Sequence, residues 1–114
     1  RCCILCERSA VYADGCSFNG HAQNGRGVGV FYNSSAVLAS CAFHDLESVV
    51  TTSWGGRVEI YGTNPATDYS NNYVGARHIL GGLVLLGDHV PDTLGGNYNV
   101  RDEMSAIIKG GKFI

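Results

Sequence analysis

The segment Arg57-Val58-Glu59-Ile60-Tyr61 alternates polar and apolar residues, so an extended chain puts Val58 and Ile60 on one face and Arg57 and Glu59 on the other. That is the pattern of a half-buried strand. Val28-Gly29-Val30-Phe31-Tyr32, the stretch 48–52 and His78-Ile79-Leu80 are likewise rich in β-branched or aromatic residues and bounded by turn formers. Glycine pairs at 55–56, 81–82, 95–96 and 110–111 mark turns between short strands. The rival to strand lies at the C-terminal end, where Val100, Met104, Ile107 and Ile108 are spaced for a short helix, with Asn99 or Asp102 as its cap and Gly110 as its stop. The similar stretch Asp45–Val50 runs instead into Thr51-Thr52, a β-branched run that a helix disfavours, so a turn and a strand are the better expectation at the C-terminal end too.

A chain of 114 residues is long enough for one domain with its own core. Charged residues make up 16% and the formal net charge is −2, which leaves no basic field to neutralise a nucleic-acid backbone. Apolar runs such as Leu83-Val84-Leu85-Leu86 fall far short of a transmembrane helix, so no transmembrane segment is expected. The five cysteines, Cys2, Cys3, Cys6, Cys16 and Cys41, all lie in the first half, three of them within the first six residues. Such a cluster fits a disulfide framework that staples an N-terminal segment to the core in an oxidising compartment. The odd count leaves one thiol over, or bonded to another chain in a disulfide-linked dimer; a non-covalent dimer is the other assembly considered. No second Cys or His pair follows Cys2-Cys3-x-x-Cys6 at zinc-finger spacing. Asn33-Ser34-Ser35 is a glycosylation acceptor, and the only lysines are Lys109 and Lys112; both facts lean towards a secreted protein.

Matched landmarks recur in the same order in the two halves. Val11-Tyr12, Phe18-Asn19-Gly20 and Asp45-Leu46-Glu47-Ser48 are answered by Ile60-Tyr61, Tyr73-Val74-Gly75 and Asp102-Glu103-Met104-Ser105, at separations of about 49, 55 and 57 residues. This order resembles the βγ-crystallin Greek key, in which an aromatic strand and a folded hairpin closing on glycine are followed by an Asp-x-x-Ser turn. The resemblance implies an all-β fold, two Greek key motifs in a sandwich. It makes Tyr12 and Tyr61 the hairpin aromatics, Gly20 and Gly75 the hairpin glycines, and Ser48 and Ser105 the serines that tie the hairpins down. On this reading residues 1–8 are the Cys-rich segment, 9–56 the first Greek key and 57–114 the second.

Calcium-binding members of that family have Asn or Asp at the first turn position, where this chain has His44 and Arg101. Asp45, Ser48, Asp102 and Ser105 remain as candidate oxygen ligands, and calcium is the one cofactor the resemblance suggests. Among other chemistries, Cys41-Ala42-Phe43-His44 offers a thiol and an imidazole, although residues three apart on an extended chain face opposite sides. The acidic pairs Asp45/Glu47 and Asp102/Glu103 fit solvated turns better than glycoside hydrolysis. Gly25-Arg26-Gly27-Val28-Gly29 lacks the Gly-Lys-Ser/Thr of a phosphate loop. Trp54 beside two glycines, with Tyr69 and Tyr73, is either core packing or an exposed platform for sugars or a protein. The expectation is a secreted, non-enzymatic interaction protein of toxin, effector, antimicrobial or protease-inhibitor type, acting on a protein or cell-surface target. A calcium-binding stress protein and an enzyme using Cys41 and His44 are the alternatives.

Overall fold

The computed structural model describes residues 2–62, 69–79, 81–87, 89–91, 94–101 and 106–109. The described chain is all-β. In chain order the strands are β1 (Cys2–Glu7), β2 (Ala10–Asp14), β3 (Ser17–Asn19), β4 (Gly25–Phe31), β5 (Ser35–Ala39), β6 (Ala42–His44) and β7 (Leu46–Ser53). They continue with β8 (Arg57–Tyr61), β9 (Tyr69–Ser70), β10 (Asn72–Ile79), β11 (Leu83–Leu86), β12 (Gly96–Arg101) and β13 (Ala106–Lys109). No helix among the described residues is long and apolar enough to cross a membrane.

Every ladder between these strands is parallel. Sheet A has the order β1-β4-β7-β10-β12, sheet B β13-β11-β8-β5-β2, and sheet C β3-β6-β9. From β1 to β9 the chain therefore visits A, B and C in turn and then climbs one level, and β10 to β13 alternate between A and B, forming a parallel β-solenoid of stacked rungs. In sheet A, Ile4, Val28, Val50, Ala76 and Val100 lie in register, at steps of 24, 22, 26 and 24 residues. In sheet B the corresponding column is Val11, Ala36, Val58, Val84 and Ile107.

This architecture corrects the Greek-key expectation, because a Greek key needs antiparallel neighbours. The apparent twofold repeat spans about two rungs and misaligns its landmarks. Tyr12 is in register with Glu59 and Asp14 with Tyr61, so the two tyrosines share an outer face but are not equivalent. Gly20 sits at a corner, hydrogen-bonded to the His44 carbonyl, whereas Gly75 lies within β10. Ser48 lies within β7 in register with Val74, while Asp102 and Ser105 fall outside the described residues. The N-terminal cysteine segment is a sheet strand, not an appended tail: β1 pairs with β4 over five residues. No disulfide is formed among the described cysteines. At the C-terminal end, 106–109 is a strand and not the rival helix.

The core follows from the stacking. Alternate residues of each strand point inward, and each meets its equivalent one rung above and below, about 4.8 Å away. Ala13, Leu38, Ile60 and Leu86 form one buried column beside Ala36, Val58 and Val84. Under sheet C, Phe18 stacks on Phe43 with ring centroids 4.9 Å apart, and Tyr69 follows at 5.5 Å. Tyr69, considered above for a platform, is thus packed against the core.

Corners are turned by one to three consecutive residues in the left-handed conformation. Gly95 (φ 73°) leads into the last strand of sheet A, and Asp45 (φ 60°) and Asn71 (φ 55°) turn sheet C into sheet A. Gly20 serves the same corner by close approach. A Cβ there would overlap the Asp45 carbonyl and the Leu46 backbone of the next rung. Asn72 then locks three rungs together from inside. Its Oδ1 accepts from the Leu46 N–H at 3.0 Å, while its Nδ2 donates to the Phe43 carbonyl at 3.1 Å and the Leu94 carbonyl at 2.8 Å.

Candidate functional site

Two regions outside the core carry side chains with chemistry. The first is the corner between sheets A and B. Arg8, Tyr32 and Trp54 each follow directly on residues in register, Glu7, Phe31 and Ser53, and all three have positive φ. They therefore form one outer column along the solenoid. The rings of Tyr32 and Trp54 are within 3° of parallel with centroids 6.3 Å apart, and the Arg8 guanidinium carbon stands 5.0 Å from the Tyr32 centroid. Each contact is worth about 0.5–1.5 kcal/mol. Trp54 nevertheless remains 49% exposed.

The outer face of sheet B adjoins this column. Tyr12 (66% exposed) and Tyr61 stand out from it, with Val37, Leu83 and Leu85 half-buried among them. A polar cluster punctuates the apolar surface: Glu59 accepts a hydrogen bond from the Tyr61 hydroxyl at 3.0 Å and lies 3.5 Å from the Arg57 guanidinium. The carboxylate raises the Tyr61 pKa by holding its proton. Asn33, in the Asn-x-Ser sequence, is exposed at this corner, its N–H bonded to the Trp54 carbonyl at 2.9 Å.

No family model, curated protein or solved structure matches the chain. Function must therefore be read from the sites themselves.

The second region is the outer surface of sheet C with its corner into sheet A. His44 Nε2 lies 3.4 Å from Ser17 Oγ, and His44 Nδ1 lies 3.5 Å from Asp45 Oδ2. Asn71 Nδ2 donates to Asp45 Oδ1 at 2.5 Å. That bond, followed by the one from His44, holds the Asp45 carboxyl below its ordinary pKa. Beside it, a cavity of about 570 Å³ at the first rung is lined by residues including Asn19, His21, Asn24 and Arg26. Glu47, on the sheet A side of the corner, bridges Arg26 at 3.2 Å and Arg77 at 2.8 Å.

Of the four candidate calcium ligands, only Asp45 and Ser48 lie among the described residues, and the two are differently placed. Asp45 points outward and is engaged by Asn71 and His44, whereas Ser48 is fully buried with its hydroxyl 3.3 Å from Thr51 Oγ1. Among the described residues no group of three His, Cys, Asp or Glu side chains is placed to hold a metal ion. Cys41 and His44 also face different surroundings. The Cys41 thiol is buried against the carbonyls of Ala39 (3.3 Å) and Ala13 (3.6 Å), while His44 faces outward towards Ser17.

Sequence reasoning singled out Trp54 but missed Arg8 and Tyr32. The signal was their spacing of 24 and 22 residues, which is one rung each. Ser17, Asn71 and Asn72 were missed for the same reason, since their partners lie one rung away.

Proposed function

We propose that the chain is a secreted interaction protein that grips a protein target with the corner between sheets A and B and the adjoining face of sheet B. The observation that carries this reading is the stacked column Arg8, Tyr32 and Trp54, exposed beside Tyr12 and Tyr61. Tyr, Trp and Arg dominate protein-binding hot spots, and rings already braced against each other lose little freedom on binding. The arrangement favours a protein over a sugar. Sugars stack on ring faces, and those of Tyr32 are already engaged by Trp54 and Arg8. A toxin, effector, antimicrobial or inhibitor role fits such a surface.

The test titrates proteases of each class and cell-surface proteins with the wild type and with the double variant Tyr32→Ala/Trp54→Ala. A target that binds the wild type and loses about 30-fold or more in affinity with the variant supports the reading. A target that binds both proteins equally places the contact elsewhere.

A second, hydrolytic reading is favoured by one observation, the Ser17, His44 and Asp45 relay, whose connectivity is that of a nucleophile, a base and its orienting carboxylate. Both contacts are long and Ser17 is exposed, so it ranks below the binding reading. A fluorophosphonate probe that leaves Ser17 unlabelled removes it.

A further inference from the structure

Cys16 and Cys41 occupy the same place on successive rungs, at the corner where sheet B gives way to sheet C. Asp14 is in register with Ala39 on one side of that corner and Ser17 with Ala42 on the other. The Ala42 N–H bonds to the Cys16 carbonyl at 2.9 Å, and the Gly15 N–H to the Ala39 carbonyl at 2.9 Å, so the two corners are stitched together on both sides of the cysteines. The thiols also sit alike within their rungs. Cys16 Sγ lies 3.8 Å from the carbonyl two residues back, that of Asp14, and Cys41 Sγ lies 3.3 Å from its counterpart, that of Ala39. Cys41 Sγ further reaches down a rung, to within 3.6 Å of the Ala13 carbonyl. Neighbouring parallel strands are about 4.8 Å apart, and a disulfide spans Cα separations of about 4.4–6.8 Å.

We infer that Cys16 and Cys41 form a redox-dependent clasp, a disulfide that closes one complete turn of the solenoid and locks the first rung onto the second. Their accessibilities assign the order of events. Cys16 is exposed and Cys41 buried, so a small disulfide oxidant such as oxidised glutathione meets Cys16 first. The Cys16 thiolate attacks one glutathione sulfur, forming a mixed disulfide and releasing one glutathione thiolate. Cys41, deprotonated, then attacks the Cys16 sulfur and expels the second glutathione. In balance, two protein thiols become one disulfide, one glutathione disulfide becomes two glutathione thiols, and the two thiol protons pass to the departing glutathiones. Burial raises the Cys41 pKa, against the lowering effect of its hydrogen bonds with the Cys16 and Gly15 backbone, so the second step is the slow one and quickens with pH. The clasp acts where the solenoid needs it, because β1, β2 and β3 lie at the edges of their sheets and each pairs on one side only among the described strands.

The test equilibrates the whole chain with oxidised glutathione, blocks remaining thiols and maps the tryptic peptides. Residues 9–26 contain only Cys16 and residues 27–57 only Cys41. The expected result is a 9–26/27–57 cross-linked peptide from monomeric protein and a melting temperature higher than that of the reduced protein by on the order of 10 °C. Cys16→Ser, an exposed substitution that leaves the core intact, abolishes both effects. Cys16 stably joined to glutathione, paired with a cysteine from 1–8 or cross-linked between chains overturns the inference, as does a Cys16–Cys41 bond that leaves the melting temperature unchanged.

Discussion

Replacing Asn72 with Ala should be among the costliest single changes in the molecule. The side chain is fully buried and makes three hydrogen bonds, each to the backbone of a different residue: Leu46, Phe43 and Leu94. Alanine leaves the Leu46 N–H with no acceptor from this side chain and takes a donor from two carbonyls, with no room vacated for bulk solvent. An orphaned buried polar group costs about 1–3 kcal/mol, with carbonyls at the lower end because they keep a second lone pair. The total is about 3–4 kcal/mol, a large part of the ~5–15 kcal/mol that holds a typical domain together. Urea unfolding followed by Trp54 fluorescence and far-ultraviolet circular dichroism should show the midpoint falling by about 1.5–2 M at an m-value near 2 kcal/mol/M. Asn72→Asp is the sharper probe. It keeps an acceptor for Leu46 but turns a carboxylate oxygen towards two carbonyl oxygens, so at neutral pH it should be at least as damaging as alanine and should recover partly in acid. A loss below about 1 kcal/mol for alanine, or an Asp variant as stable as the wild type, would refute the stapling role.

Other substitutions test the remaining contacts. Gly20→Ala forces a methyl group into the backbone of Asp45 and Leu46 and should cost about 2 kcal/mol or more by thermal melting, whereas Gly81→Ala, with open space around the new methyl group, should pay only its backbone strain of about 1 kcal/mol. Asn71→Ala removes the main donor to Asp45, so a carboxyl-carbon NMR titration should show the Asp45 pKa rising towards the ordinary carboxylate value; an unchanged titration contradicts the geometry. The folded-state pKa of Asp45 is depressed, so its contribution to stability is present above the unfolded-state pKa and lost as pH falls through the lowered folded one. Asn71→Ala should flatten that acid limb. Trp54→Ala should lower stability by only about 1 kcal/mol, since the ring is half-exposed, which separates its binding role from a folding role.

The sequence makes strands legible and their arrangement illegible, for a physical reason. Val58 and Ile60 point into the core and Arg57 and Glu59 away from it, as alternation alone requires. Alternation is the same in parallel and antiparallel sheets, however, so it carries no information about strand direction. The repeat that would have revealed the solenoid is written in interchangeable residues, Val28, Val50 and Ala76 or Ala36, Val58 and Val84, at steps that vary between 22 and 26. Unequal corners blur the period, and the eye settles on the more distinctive Asp-x-x-Ser, which spans about two rungs. The same blindness hides the sites. Tyr32 meets Trp54, and His44 meets Ser17, only because each pair is separated by one turn of the chain.

The contact between Tyr32 and Trp54 therefore tests the solenoid and its proposed binding surface together. In a nuclear Overhauser spectrum of the intact protein, ring protons of Tyr32 and Trp54 should show direct cross-peaks, accompanied by parallel-strand contacts from Val28 to Val50 and from Val50 to Ala76. Absence of the ring contact, with antiparallel contacts between neighbouring strands, would contradict the account.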